Sequence, residues 1–380
     1  MNDISTQDIT DEFEDFLDVA SQYLGKRGSV GFVRSLLTDE RDIAFDRSCW
    51  EAQAQLGWSS IAIPESLGGA GFSWSAAGRL VQLCGEYLVP EPILSTIGLA
   101  TPVLLAQGSE GAESILKRIG AGELVVAVSA PVGALRSPLP DEVQAVKHND
   151  VWEFSGSCSV LDVPGSDLIL TPVAVTKGYR WLAVDPAVLT LRESRTLIDG
   201  RHRTTLDFDG VELPIESFIG AVSGPDEALA PILTVGAALV SAWLLGTAER
   251  AFGITVDYLK VRSQFGALIG SYQALQHRVS RLYCELEVAR AVVGAALSAL
   301  DAGSPEAPLW ASAARARTGD LALRVTSEAI QLHGGIGMTH EADVGLYFKS
   351  ARVANQFGGD HVFHRARAGQ LLGIEGNSSQ

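Results

Sequence analysis

Several classes of function are excluded by what this chain of 380 residues has little of. Basic charge is scarce, with 29 Lys and Arg against 45 Asp and Glu and a formal net charge of −16. Phosphate backbones are gripped by clustered cations, so a nucleic-acid role is disfavoured and an acidic ligand could bind only through a few local donors. Cysteine is equally sparse. Cys49, Cys84, Cys158 and Cys284 lie far apart with no CxxC pair, which points away from a zinc site or a disulfide framework and fits a reducing cytoplasm. No run approaches the 18 or more apolar residues of a membrane span. The first residues, "MNDISTQDITDEFEDF", are acidic and polar where an export signal would be basic and then apolar. A soluble protein is the expectation.

What is present reads as helices, then strands, then helices. "ERDIAFDRSCWEAQAQLG" places Ile43, Trp50 and Leu56 at helical intervals and stops at Gly57, and "SAAGRLVQLCGEYL" repeats the pattern. Between them "GWSSIAIPESLGGAGFSW" carries Pro64 and glycines that predict a shaped loop. From about residue 123 the character changes to short strand-like runs: "ELVVAVSA", "VQAVKHNDVWEFSG" around a His-Asn-Asp turn, "DLILTPVAV", "YRWLAVDP" and "TTLDFDGVEL". With no helix between them they predict a β-barrel or sandwich rather than a parallel sheet. After Pro225, "ALAPILTVGAALVSAWLLGTAERAFGITVDYLKVR" is apolar nearly all round its first half, so that half should be buried; two further long amphipathic stretches follow, the last halted by Gly334 and Gly335. The expected fold class is α+β: an N-terminal helical domain (1–122), a middle β domain (123–222) and a C-terminal helical bundle (223–380).

Four stretches resemble, in order and spacing, the acyl-CoA dehydrogenase family: "GWSSIAIPESLGGAGFS", "TLDFDGVELPIESFIG", "RSQFGALIGSYQALQ" and "QLHGGIGMTHEADVGLYFKSAR". The likeness runs from about residue 8 to residue 372. It implies an FAD-dependent flavoprotein, a tetramer in which one subunit's β domain holds the flavin ring and its neighbour's C-terminal domain holds the ADP half. The family reaction removes the α-proton of an acyl-CoA with a glutamate and passes a β-hydride to the flavin. The cofactor supplies the hydride chemistry, and the protein supplies orientation, electrostatics and a base. An arginine fork suits a pyrophosphate and paired glycines let a backbone approach closely. The matching residues here are Arg262 and Phe265 of "RSQFG", Gln273 of "SYQALQ", and Gln331, Leu332, His333, Gly334 and Gly335 of "QLHGG". Singly, Arg262 fits a surface ion pair and the glycines fit a helix cap; as a set at family spacing they fit a cofactor. His333 has no second ligand at metal spacing, so no metal is expected.

The resemblance also implies where a base should be. In most members the glutamate lies in a motif like tyrosine, glutamate, glycine, threonine, nine residues after an Arg-Asp pair. Lys349 and Ser350 take the Arg-Asp positions here, Phe357 the tyrosine and Gly358 the glutamate. Other members carry the base 26 residues before the arginine of RxxFG, which in this chain is Gly236. Glycine cannot accept a proton. The alternatives nearby are Asp360, which also fits a helix N-cap, His361, and Glu341, which fits a helix start. The flavin-holding loops depart as well. Where the family has a stretch like TEPxAGSD and later Trp-Ile-Thr, this chain has "VSAPVGALRSPLP" and then "SGSCSVLDVPGSDLIL", with Ser159 to Leu161 replacing the aromatic.

The features that would serve a neighbour's FAD are kept and those that would hold and use the chain's own are degraded. That combination resembles the base-less subunit of heteromeric α2β2 acyl-CoA dehydrogenases of bacterial steroid catabolism, which carry two FADs rather than four. The expected partner is a second acyl-CoA dehydrogenase subunit bearing the catalytic glutamate, and the expected substrate a bulky acyl-CoA. Two other readings stand beside it: a homomeric flavoenzyme using Asp360 or His361 or running a different oxidation, and a CoA-binding relative without FAD.

Overall fold

The computed structural model describes residues 6–37, 45–129, 143–149 and 151–374. Helices α1 (Thr6–Arg27), α2 (Ser29–Leu36), α3 (Arg47–Gln55), α4 (Trp74–Glu86), α5 (Thr101–Gln107) and α6 (Glu110–Gly120) come first. Three start on side-chain caps: Asp46, Ser73 and Ser109 accept from the backbone N–H groups of Ser48, Ala76 and Ala112, which satisfies donors that the first turn leaves orphaned. The predicted helix ending at Gly57 is thus α3, begun at Arg47; its Ile43 lies outside the described residues. Ahead of α5 the chain makes a π-helical stretch, Leu94–Ala100.

The strands are β1 (Val126–Val128), β2 (Val143–His148), β3 (Val151–Leu161), β4 (Leu168–Ala174), β5 (Tyr179–Val184), β6 (Thr190–Thr196), β7 (His202–Asp207), β8 (Val211–Pro214) and β9 (Phe218–Val222). They form a sheet in the order β6-β7-β3-β2-β4-β5-β9, with β1 parallel to β4 and β8 beside β3. Strand β3 is the pivot. Its first half pairs with β2 and β8 while its second half pairs with β7, so the sheet turns a corner along it. Asn149, at φ 55°, makes the turn from β2 towards β3 that the His-Asn-Asp signal predicted. Trp152, Phe154, Phe208 and Leu182 fill a core belonging to the sheet alone.

From Pro225 the chain is helical: α7 (Pro225–Pro231), a second π-helical stretch (Ile232–Gly236), α8 (Ala237–Val261), α9 (Gln273–Asp301), α10 (Ala307–His333), α11 (Val344–Ala354) and α12 (His361–Leu371), with the two-residue strands β10 (Ser263–Gln264) and β11 (Ala267–Leu268) forming a hairpin after α8. Contrary to the expectation that no run approaches a membrane span, Pro225–Val261 is long and apolar enough to cross one, yet 72% of its most apolar window is buried by the rest of the chain. It is the central helix of the core. Helices α4 and α8 approach so closely that a Cβ on Gly85 would lie 2.2 Å from the carbonyl oxygen of Trp243, and one on Gly246 would lie 2.0 Å from that of Gln82. Only glycine fits at either crossing point, and the two helical regions thereby share one core containing Trp50, Trp58, Trp243 and Tyr347.

Candidate active-site region and flavin-contacting end

Gly236 and Gly358, the two positions where the resemblance implies a base, converge in space. Gly236 closes the second π-helical stretch, facing the first: a Cβ there would lie 2.8 Å from Leu99 Cδ2 and 3.2 Å from the carbonyl oxygen of Gly98. A Cβ on Gly358 would lie 3.1 Å from Ile232 Cγ2, and the same atom is 3.8 Å from the Gly236 position. Both glycines are buried and Ile232 is wholly so. Gly358 also has φ +59°, a conformation costly to any side-chain-bearing residue. The first atoms met beyond the two Cα atoms are methyl groups of Leu99 and Ile232, with the Gly98 carbonyl oxygen beside the former.

The segment around Gly358 is pinned by its backbone. Arg315 of α10, 0% exposed, donates to the carbonyls of Ala354 (3.2 Å) and Gly359 (3.0 Å) and to Asn355 Oδ1 (2.8 Å). Among the described residues it has no carboxylate within ion-pair distance, and burial lowers its pKa to about 9. His364 of α12 is also fully buried and donates from Nε2 to the Gly358 carbonyl at 2.9 Å. Burial, reinforced by Arg315, pushes its pKa down to about 3, so it is a neutral imidazole. The polar neighbours are committed too. Asp360 caps α12, its Oδ1 accepting from Val362 N (3.0 Å) and Phe363 N (2.8 Å), and His361 Nδ1 lies 2.9 Å from Asn355 Nδ2. Glu341 is exposed in the turn before α11, whose N-cap is Asp343.

A contact that the sequence did not announce joins this segment to the sheet. Arg201, between β6 and β7, places its guanidinium 5.1 Å from the Trp243 ring centroid and 5.3 Å from that of Phe357, while Arg203 donates to Gln356 Oε1 at 2.5 Å. Asp199 Oδ2 lies 3.4 Å from Arg201 Nε. Burial outweighs the pull of Arg201 and raises the Asp199 pKa to about 6. Asp199, Arg201 and Trp243, with Ser350 and Leu88, line a cavity of about 20 Å³, room for one water-sized molecule. Nearby, Ser159, Val160 and Leu161 are the last residues of β3, the latter two buried. Most of "VSAPVGALRSPLP" lies outside the described residues.

The other motif residues gather at one end of the bundle. Arg262 leaves α8 as its terminal cap. Phe265, 93% exposed at φ 52°, forms the tip of the β10–β11 hairpin. Gln273 begins α9 and is exposed. Gln331, Leu332 and His333 end α10: the first is exposed and the others are buried. Gly334 turns the chain at φ +66°, and a Cβ on either Gly334 or Gly335 would meet nothing within 4 Å. An exposed guanidinium, two exposed amides and an open glycine turn are groups suited to the pyrophosphate of a dinucleotide. FAD therefore fits these residues.

A helical layer, a twisted sheet and a helical bundle ending in such a donor set form a scaffold suited to a dinucleotide cofactor. Family models described as the N-terminal and C-terminal domains of acyl-CoA dehydrogenase match residues 10–123 and 225–372. The acyl-CoA dehydrogenase IpdE2 of Mycobacterium tuberculosis is 32% identical over 348 residues, covering 89% of this chain and 90% of that protein. The chain belongs to the acyl-CoA dehydrogenase family, and its cofactor is FAD. In fold it matches a glutaryl-CoA dehydrogenase from Mycobacterium smegmatis in complex with FADH2 (TM-score 0.86, 17% identity, 97% and 96% of the two chains). It likewise matches a variant of the Tcur3481–Tcur3483 steroid ACAD (TM-score 0.84, 24% identity, 96% and 98%).

Proposed function

We propose that this chain is the non-catalytic subunit of a heterotetrameric, FAD-dependent acyl-CoA dehydrogenase, and that its partner subunit carries the glutamate that takes the α-proton. The observation that supports this most is the pair Gly236 and Gly358: both positions for a base are glycines closed over by Leu99 and Ile232. General-base catalysis is worth on the order of 10² to 10⁴ in rate, so a chain without a base is a poor dehydrogenase by itself. FAD, when bound, supplies the hydride acceptor. This chain's part is binding and orientation: Arg262 would hold the pyrophosphate, Gln273 and Gln331 would offer amide hydrogen bonds, and Gly334 and Gly335 would let the main chain approach. Phe265 projects from the hairpin to contact the neighbouring subunit. A bulky acyl-CoA of the steroid-CoA type is the proposed substrate class, a reading supported by the likeness to a structure named as a steroid ACAD.

The test is turnover by the complex of this chain with a dehydrogenase subunit that carries the glutamate. Substituting the partner's glutamate by glutamine should abolish turnover and leave flavin bound, whereas Asp360→Asn in this chain, which keeps the α12 cap, should leave turnover unchanged. Loss of turnover in Asp360→Asn would instead make this chain a catalyst in its own right.

A further inference from the structure

Two of the motifs assigned above to one cofactor sit on different helices, and a cofactor spanning them requires a fixed distance between them. Beside the motifs themselves, one side chain bridges the two helices through its ring and its hydroxyl. Tyr258 of α8 stacks on the His333 ring of α10, centroids 4.3 Å apart and planes 20° from parallel, and its hydroxyl donates to the His333 carbonyl at 3.3 Å. His333 is locked in turn, its Nδ1 donating to the Ala329 carbonyl at 2.8 Å. The residue it precedes is Gly334, whose N–H returns to Gln331 and whose turn opens the glycine pair to solvent. On its own helix, Tyr258 stands one turn before Arg262, and its carbonyl accepts the Arg262 N–H at 2.9 Å. Arg262 then holds the hairpin, its carbonyl accepting from Ile269 N at 2.8 Å.

We propose that Tyr258 is a positioning residue for FAD: it sets the separation and orientation of Arg262 relative to the Gly334–Gly335 turn without touching the cofactor. This rests on the reading that this end of the bundle holds the ADP half of a flavin shared with the partner. Loss of the stacked ring should let the two motifs drift, and a ring pair of this geometry contributes about one factor of ten in an equilibrium.

The experiment uses the heteromeric complex, freed of flavin and titrated with FAD or FMN by fluorescence quenching, alongside its melting temperature. FMN is the control because it lacks the adenylate half that these motifs would hold. Tyr258→Leu should weaken FAD about tenfold and leave FMN unchanged, while Tyr258→Phe, which restores the stacked ring, should recover most of the FAD affinity. If Tyr258→Leu does not assemble, Tyr258→Met serves as the second comparison, predicted to weaken FAD selectively. Unchanged FAD affinity, or equal weakening of FAD and FMN, overturns the inference. Arg262→Ala separates the two levels of the argument: if it weakens FAD and Tyr258→Leu does not, only the positioning role falls, and if Arg262→Ala has no effect, the shared-flavin reading falls with it.

Discussion

Restoring a carboxylate at Gly358 is the perturbation that most directly probes the closed seat. The backbone there is left-handed at φ +59°, which costs an L-residue roughly 1–2 kcal/mol. The new Cβ would stand 3.1 Å from Ile232 Cγ2 in a packed interior, and overpacking of that kind costs about 1–3 kcal/mol more. The surroundings resist adjustment, because His364 holds the Gly358 carbonyl and Arg315 that of Gly359. Gly358→Glu should therefore destabilise the chain by about 2–5 kcal/mol without conferring dehydrogenase turnover, and Gly358→Ala should show most of that loss, since the backbone and the first carbon cause it. Denaturant unfolding of both variants, with turnover assayed on a CoA thioester, decides the matter. A Gly358→Glu chain that stays within about 0.5 kcal/mol of the parent and oxidises substrate unaided would refute the reasoning, because it would show the seat to be open.

The remaining predictions concern stability and assembly. His364 is held neutral at a folded pKa of about 3, below its unfolded value of 6.5, so its contribution is complete above pH 6.5 and is lost as the pH falls towards 3; His364→Gln should flatten this acid limb in melting temperature measured against pH. Glu91 is buried and gripped by both terminal nitrogens of Arg27 at 2.5 Å, with Gln53 Nε2 at 2.8 Å. Arg27→Met leaves a buried charge with a single weak partner and should cost about 3–5 kcal/mol in denaturant unfolding. Phe265, exposed at the hairpin tip, has no fold to support, so Phe265→Ser should leave the melting temperature of the isolated chain unchanged and weaken its association with the partner in analytical ultracentrifugation.

Element order was legible wherever side-chain periodicity tracks burial. Helix α4 and the buried half of the Pro225–Val261 run are apolar on the faces that the fold covers, and the turn at Asn149 carries residues that tolerate a left-handed backbone. Strand β6 was not legible, because every residue in it is exposed and no alternation survives in "TLRESRT". Strand β9 is short and follows a proline turn, which masks its pattern. The π-helical stretches have the same composition as ordinary helix, so nothing in the residues distinguishes them. At the site, the glycines at 236 and 358 could be counted from motif spacing, but that one isoleucine stands against both could not. Nor could the use of Arg201 and Arg315: each acts on residues about 40 or more positions away in sequence, through carbonyls and ring faces that carry no side-chain signature.

The central claim is that this chain completes a flavin site it does not itself use, and counting flavins tests it most directly. Bound FAD would be measured by visible absorbance per mass of assembly, for the chain purified alone and co-expressed with a dehydrogenase subunit that carries the glutamate. The account predicts a nearly colourless protein alone and two FADs per tetramer in the mixture. A yellow homotetramer carrying four FADs would contradict it.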